Sequence, residues 1–143
     1  MIEMIELNGD FCTSEVYQIY CDCMYQPTWE KFCRKAEKYL ADSNVRLLSA
    51  VENSTVLGII VLQKQTDERT EIIGIAVSQH CRRCGIGRKM VAAAMTLSHT
   101  KQLYAETDAD AVTFYQGCGF QTESHVETFP DGEVVRYQCV LNT

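Results

Sequence analysis

Apolar and polar positions change rhythm twice along this chain. Residues 1–7 alternate loosely, as a short strand does. From Thr13 to about Tyr25, Val16, Ile19, Tyr20 and Cys23 recur at helical spacing. After Pro27 a second helical stripe runs through Trp29, Phe32, Cys33, Ala36 and Leu40, with Thr28 placed to cap it. An aromatic stripe at that period reads as core before it reads as a pocket wall. The period then shortens. Val45–Val51 and Val56–Leu62 read as strands joined by a turn at Glu52-Asn53-Ser54-Thr55, and Glu71–Val77 as a third strand. Gly85 to about Ser98 returns to helical spacing, with Ile86, Met90, Ala94 and Leu97 on one stripe. Gln102–Glu106 reads as a short strand, and Asp108 to about Gln116 as a short helix stopped by Gly117 and Gly119. Two last strands, about 121–128 and 133–141, flank the turn Pro130-Asp131-Gly132. The order is β-α-α-β-β-β-α-β-α-β-β, and its strand–helix–strand unit at 71–106 requires a parallel pair with a right-handed crossover. The fold class is a mixed α/β or α+β sheet with helices on its faces.

Size and composition narrow the picture. The chain has 143 residues, 46% hydrophobic and 22% charged, which suits a domain able to bury a core without staples. No repeat, linker or low-complexity run interrupts it, so residues 1–143 read as one domain. No apolar run is long enough to cross a bilayer, and the first ten residues carry acids where an export signal carries lysines. The expected location is cytoplasmic, off the membrane, with the eight cysteines as reduced thiols. Cys21-Asp22-Cys23 and Cys81-Arg82-Arg83-Cys84 invite a metal or redox reading. Neither pair has a mate at zinc spacing, and the arginines in the second disfavour a dication, so no metal is expected. A net charge of −6 speaks against nucleic acid as a partner and is compatible with a cationic substrate.

Against that acidic background, residues 71–90 form a local exception. An apolar run ending in Ala76-Val77 meets a loop carrying Arg82, Arg83 and Gly85-Ile86-Gly87, which opens into a helix. A strand feeding a glycine-rich turn at a helix start is a device for holding phosphate. Bare backbone N–H groups converge on the anion, the helix end adds partial positive charge, and arginines add full charges. A phosphorylated cofactor is implied. The P-loop pattern is absent, and a dinucleotide fingerprint requires a third glycine where this chain has Met90, although Glu106 lies at the distance of a ribose-binding carboxylate.

Arg82-x-x-Gly85-x-Gly87, after a strand and before a helix, resembles the acetyl-CoA signature of the GNAT superfamily of N-acetyltransferases. Ala111-Val112-Thr113-Phe114-Tyr115-Gln116-Gly117-Cys118-Gly119-Phe120 is similar to that family's second signature. The spacing of the two blocks and the terminal hairpin match as well. The likeness covers about the C-terminal two-thirds specifically. It implies a mixed, mostly antiparallel sheet with a splayed parallel strand pair, helices on both faces, and acetyl-CoA as acetyl donor. In such a protein Ile75, Ala76 and Val77 would pair with the pantetheine arm. Backbone amides between about Arg83 and Arg88, across Cys84, Gly85, Ile86 and Gly87, would hold the pyrophosphate with Arg82. One or two of Arg83, Arg88 and Lys89 would touch phosphate. Relatives often carry Asn where this chain has Asp108, a pantetheine contact near Ala111; Asp108 suits an N-cap at least as well.

Chemistry narrows the catalytic roles. An alkyl amine with a pKa of about 10.4 is mostly an ammonium at pH 7, and a base must free its lone pair before it attacks a thioester. The resemblance assigns Tyr115 as the acid that protonates the departing thiolate, and Glu71 as the base, with Glu106 or a water relay as alternatives. Strict alternation puts Glu71, Ile73, Ile75 and Val77 on one face of their strand. His80, His99 and His125 have no evident partner and read as surface residues. The acceptor is expected to be a small-molecule amine, with Trp29, Tyr25, Phe129 and Tyr137 as candidate walls of its site. A protein acetyltransferase and an acyl-CoA-sensing module without turnover stay open as alternatives. A homodimer is possible, since relatives are often dimers.

Overall fold

The computed structural model describes residues 1–143. Its elements follow in the predicted order: β1 (Glu3–Leu7), α1 (Ser14–Tyr20), α2 (Trp29–Ala41), β2 (Val45–Glu52), β3 (Thr55–Lys64), β4 (Arg69–Val77), α3 (Ile86–Leu97), β5 (Gln102–Thr107), α4 (Val112–Gly117), β6 (Gln121–Phe129) and β7 (Gly132–Asn142). Seven strands form one sheet in the order β1-β2-β3-β4-β5-β7-β6. Every neighbouring pair is antiparallel except β4 and β5.

Local signals explain most of the boundaries. Thr13 Oγ1 accepts from the Val16 amide at 3.3 Å, and Thr28 Oγ1 from Lys31 at 3.1 Å, so each helix begins on a hydroxyl cap. The β2–β3 hairpin turns on Asn53 and Ser54, both at positive φ (51° and 65°), as a two-residue turn matched to strand twist requires. The first helix is shorter than its periodicity suggests. It ends at Tyr20 and tightens into a 3-10 turn over Cys21–Cys23. The fourth helix begins at Val112 rather than Asp108, because the intervening residues form a turn on the Asp108 carboxylate.

Two apolar clusters sandwich the sheet. On one face Phe11, Val16, Ile19, Tyr20, Phe32 and Ala36 of the α1–α2 region pack on Leu47, Ile59, Val61 and Ala76. On the other, Ile86, Met90, Val91 and Ala94 of α3, with Val112 and Tyr115 of α4, pack on Leu48, Ile60, Leu62, Ile72, Leu103 and Ala105. Trp29 and Leu40 sit at the margin of their stripe, each 44% exposed, while Phe32 and Ala36 are buried in it. No helix is long and apolar enough to cross a membrane.

Candidate active site

The parallel pair at the centre of the sheet is short. β4 and β5 are in register only at Arg69–Gln102, Thr70–Leu103 and Glu71–Tyr104. Beyond Glu71 the strands diverge, and a cleft of about 740 Å³ opens between them, walled by Ile72–Val77, by Glu106, Thr107 and Asp108, by Ala111, Phe114 and Tyr115, and by Asp22–Tyr25. Ile75, Ala76, Val77, Gly87, Asp108, Ala111 and Tyr115, separate in the sequence, thus meet around one space.

A bulge re-aims β4 as it splays. β3 pairs Val61 with Gly74 and Leu62 with Ile72, so Ile73 has no partner. The alternation expected from sequence therefore fails at this point. Ile72, Ile75 and Val77 pack on the α3–α4 side, whereas Ile73 and Ala76 pack on the α1–α2 side, so Glu71 does not share a face with Ile75 and Val77. Gly74 is required here: a Cβ on it would lie 1.9 Å from the Tyr20 hydroxyl oxygen, which pairs with the Tyr39 hydroxyl at 3.0 Å. The Ser78 amide donates to Leu57 at 2.8 Å, and strand amides alternate in direction. The N–H groups of Ile75 and Val77 consequently point away from β3, into the cleft.

One end of the cleft meets a loop of free backbone amides. Arg83 and Gly85 both adopt positive φ (67° and 79°), which turns the loop into the start of α3. None of the amides from Arg82 to Arg88 donates a hydrogen bond within the protein; the first in that helix to do so is Lys89, to Gly85 at 3.1 Å. Gly87 lets α3 approach α4, since a Cβ there would come within 2.7 Å of the Phe114 ring. The side chains go elsewhere. Arg82 donates from Nη2 to Asp22 at 2.5 Å and from Nε to the Val77 carbonyl at 3.4 Å. Arg88 lies against Gly117, and Arg83, Cys84 and Lys89 are exposed. Asp108 Oδ1 accepts from the amides of Asp110 and Ala111, both at 3.0 Å, and so holds the turn that precedes α4; the N-cap is Ala111, without a side-chain bond, so Asp108 is not the cap the sequence suggested.

Tyr115 is 5% exposed, lines the cleft, and its hydroxyl has no hydrogen-bond partner in the protein. Burial, then the neighbouring Cys139, Cys23 and Cys118 thiols, push its phenol well above the ordinary range, so it holds its proton at neutral pH. Cys23, which sequence reasoning placed on the first helical stripe and in a candidate metal or redox pair, is part of the cleft wall. Desolvation pushes its thiol up to about 11, and Sγ donates to the Tyr20 carbonyl at 3.2 Å. Nothing in the sequence marked Cys23 as a wall of the cleft. Glu71 lies at the last register pair before the splay. Desolvation, then the charge of Glu106, raise its carboxyl above the ordinary 4.5, and Arg69 opposes them. Gln65 donates to its Oε1.

Of the expected acceptor walls, only Tyr25 lines the cleft. Trp29 packs edge-on against Tyr17 and tilted against Phe32, Phe129 is 48% exposed at the hairpin tip, and Tyr137 packs on the α3–α4 cluster. His80 and His99 are exposed as expected, but His125 does have a partner, Glu127, at 3.2 Å.

Known proteins bear directly on this architecture. No curated protein sequence matches the chain. Solved structures match over its whole length. A GNAT-family acetyltransferase of Elizabethkingia anophelis with acetyl-CoA bound is 20% identical, covers 99% of this chain and 98% of its own, and superposes with a TM-score of 0.71. The ribosomal-protein-S18-alanine N-acetyltransferase of Escherichia coli is 17% identical, with coverage of 99% and 94% and a TM-score of 0.74. A variant spermidine N-acetyltransferase of Vibrio cholerae is 13% identical, with coverage of 99% and 93% and a TM-score of 0.76. At such identities they establish the fold, and their different acceptors say nothing of this chain's own. The sequence model of the Acetyltransferase (GNAT) family matches residues 13–120, most of the chain, and the protein therefore belongs to the GNAT acetyltransferase family.

Proposed function

We propose that this protein transfers the acetyl group of acetyl-CoA to the primary amine of a small molecule by direct attack. The observation that carries the reading is the combination, on one cleft, of a strand edge with free amides and a run of seven unused loop amides at its end. An extended arm bearing a pyrophosphate fits both. The edge at Ile75 and Val77 supplies strand-like hydrogen bonds to its amides, and the cradle supplies converging N–H donors to its phosphates. Bound there, acetyl-CoA supplies a thioester carbonyl open to attack by a neutral amine.

The chain's own groups do the rest. Glu71, with its raised carboxyl, takes a proton from the ammonium and leaves a lone pair on nitrogen. Tyr115 keeps its phenolic proton in the buried cleft and gives it to the departing sulfur. The cleft is open enough at Tyr25 and Glu106 to admit a small amine.

Calorimetry tests the donor site. Acetyl-CoA is expected to bind the wild-type protein at micromolar concentration. Gly85→Glu should abolish binding: a Cβ there meets nothing within 4 Å, yet the position has φ +79° and the side chain brings negative charge into the cradle. Absence of binding by folded wild-type protein would overturn the proposal.

A further inference from the structure

Arg136 is a cleft residue whose chemistry acetyl transfer, as described, does not employ. It stands on β7, half-buried, and is the only cation among the residues that line the cleft. The other arginines of the sheet are engaged. Arg46 pairs with Glu6 at 2.9 Å, and Arg69 donates to Gln102 at 2.5 Å with its guanidinium 4.6 Å above the Tyr104 ring. Arg136 has neither an ion pair nor a hydrogen bond within the protein. A guanidinium removed from much of its water with donors free is set up for an anion, and its planar fork matches a carboxylate through two parallel bonds.

Register says which anion it does not serve. β5 pairs Glu106 with Gln138 and Thr107 with Tyr137. Tyr137 packs on the α3–α4 side, so Arg136 faces the opposite side of the sheet together with Glu106. The phosphate cradle and Tyr115 belong to the α3–α4 side. Arg136 therefore addresses the molecule that enters from the other face. That face also offers groups for an ammonium. His125 lies directly across from Arg136 on β6, and Glu106, His125 and Glu127 bring their oxygen and nitrogen atoms within 4.8 Å of one another. At the cleft that face thus presents the Arg136 cation and the Glu106 carboxylate, with Glu127 and His125 beside Glu106 outside the cleft lining, a pairing that suits a zwitterion.

We propose that the acceptor is an α-amino acid and that Arg136 determines this specificity by binding its carboxylate. The inference rests on the acetyl-transfer reading and names its substrate class. The amino-acid ammonium gives one proton to the base and on to solvent, its nitrogen bonds to the acetyl carbonyl carbon and loses a second proton, the carbon–sulfur bond breaks, and sulfur gains a proton. The products are an N-acetyl amino acid and the free thiol of CoA.

Matched pairs test it. Leucine, phenylalanine and lysine are compared with 3-methylbutylamine, phenethylamine and cadaverine, which lack only the carboxylate. Release of the CoA thiol gives kcat and KM, and titration into CoA-saturated protein gives binding. Each amino acid is expected to exceed its amine by about tenfold or more in kcat/KM, with the difference in KM and in binding. Arg136→Gln should erase the preference, and Arg136→Lys should recover part of it. Acetyl-CoA affinity, measured first on every variant, reports an intact donor site and fold. Equal or better use of the amines by the wild type overturns the proposal, as does a preference that survives Arg136→Gln. Wild-type protein that binds acetyl-CoA but acetylates neither set also overturns it, with the donor site standing. Failure to bind acetyl-CoA removes the reading beneath it.

Discussion

Tyr115 carries a phenol that the fold desolvates and leaves without a partner, so it stays protonated at neutral pH, as a proton donor to a departing thiolate must. Tyr115→Phe is expected to lower kcat by ~10²-fold or more with little change in acetyl-CoA affinity, measured by steady-state kinetics and calorimetry. Unchanged turnover would take Tyr115 out of the mechanism. Glu71 gives two readouts of opposite sign. As base it acts in the charged form, so kcat/KM should fall as pH drops through its raised pKa, and Glu71→Gln should remove that limb. Folding favours its neutral form, so its contribution to stability is present below about 4.5 and is lost as pH rises through the folded value. Thermal melts of Glu71→Gln should thus equal or exceed those of the wild type at pH 7, and the gap should close in acid. Tyr115 and the cradle glycines were legible because they sit in local motifs. Asp22, which holds Arg82 from 60 residues away, and Arg136, a lone cation in a hairpin strand, had no local signal.

Among the elements, β4 departs most from its sequence. Glu-Ile-Ile-Gly-Ile-Ala-Val reads as unbroken alternation, and only Gly74 hints at the irregularity beside it. A bulge is a decision of the neighbouring strand, since it exists only as a mismatch against β3, and one strand's periodicity does not contain it. Its glycine admits Tyr20 against the strand. Gly74→Ala is expected to cost about 1–3 kcal/mol in denaturant unfolding, because the new methyl meets a buried phenol tied to Tyr39. An unchanged midpoint would show that the tyrosine pair yields freely. The hairpins and helix starts, by contrast, were legible from their turn residues and hydroxyl caps.

Across the whole molecule, the two clusters lie on opposite faces of β2, β3 and β4, and β4 and β5 hold the halves of the sheet together through three register pairs. The insertion of β7 between β5 and β6 was not legible: a hairpin signal says its strands are neighbours, not which of them meets the rest of the sheet. A ligand that spans both walls of the cleft should stiffen the whole. CoA at a hundredfold excess over its Kd should add about 2.7 kcal/mol, or a rise on the order of 5–10 °C in Tm, and Gly85→Glu should show none. The splay has another consequence. Two strand edges lie open in the middle of a sheet, where no lysine, proline or closing loop blunts the Ile75–Val77 stretch, and such edges recruit further strands. A co-substrate arm laid along that edge would also act as its cover, so protein depleted of CoA should self-associate during heating or concentration, and added CoA should keep it dispersed.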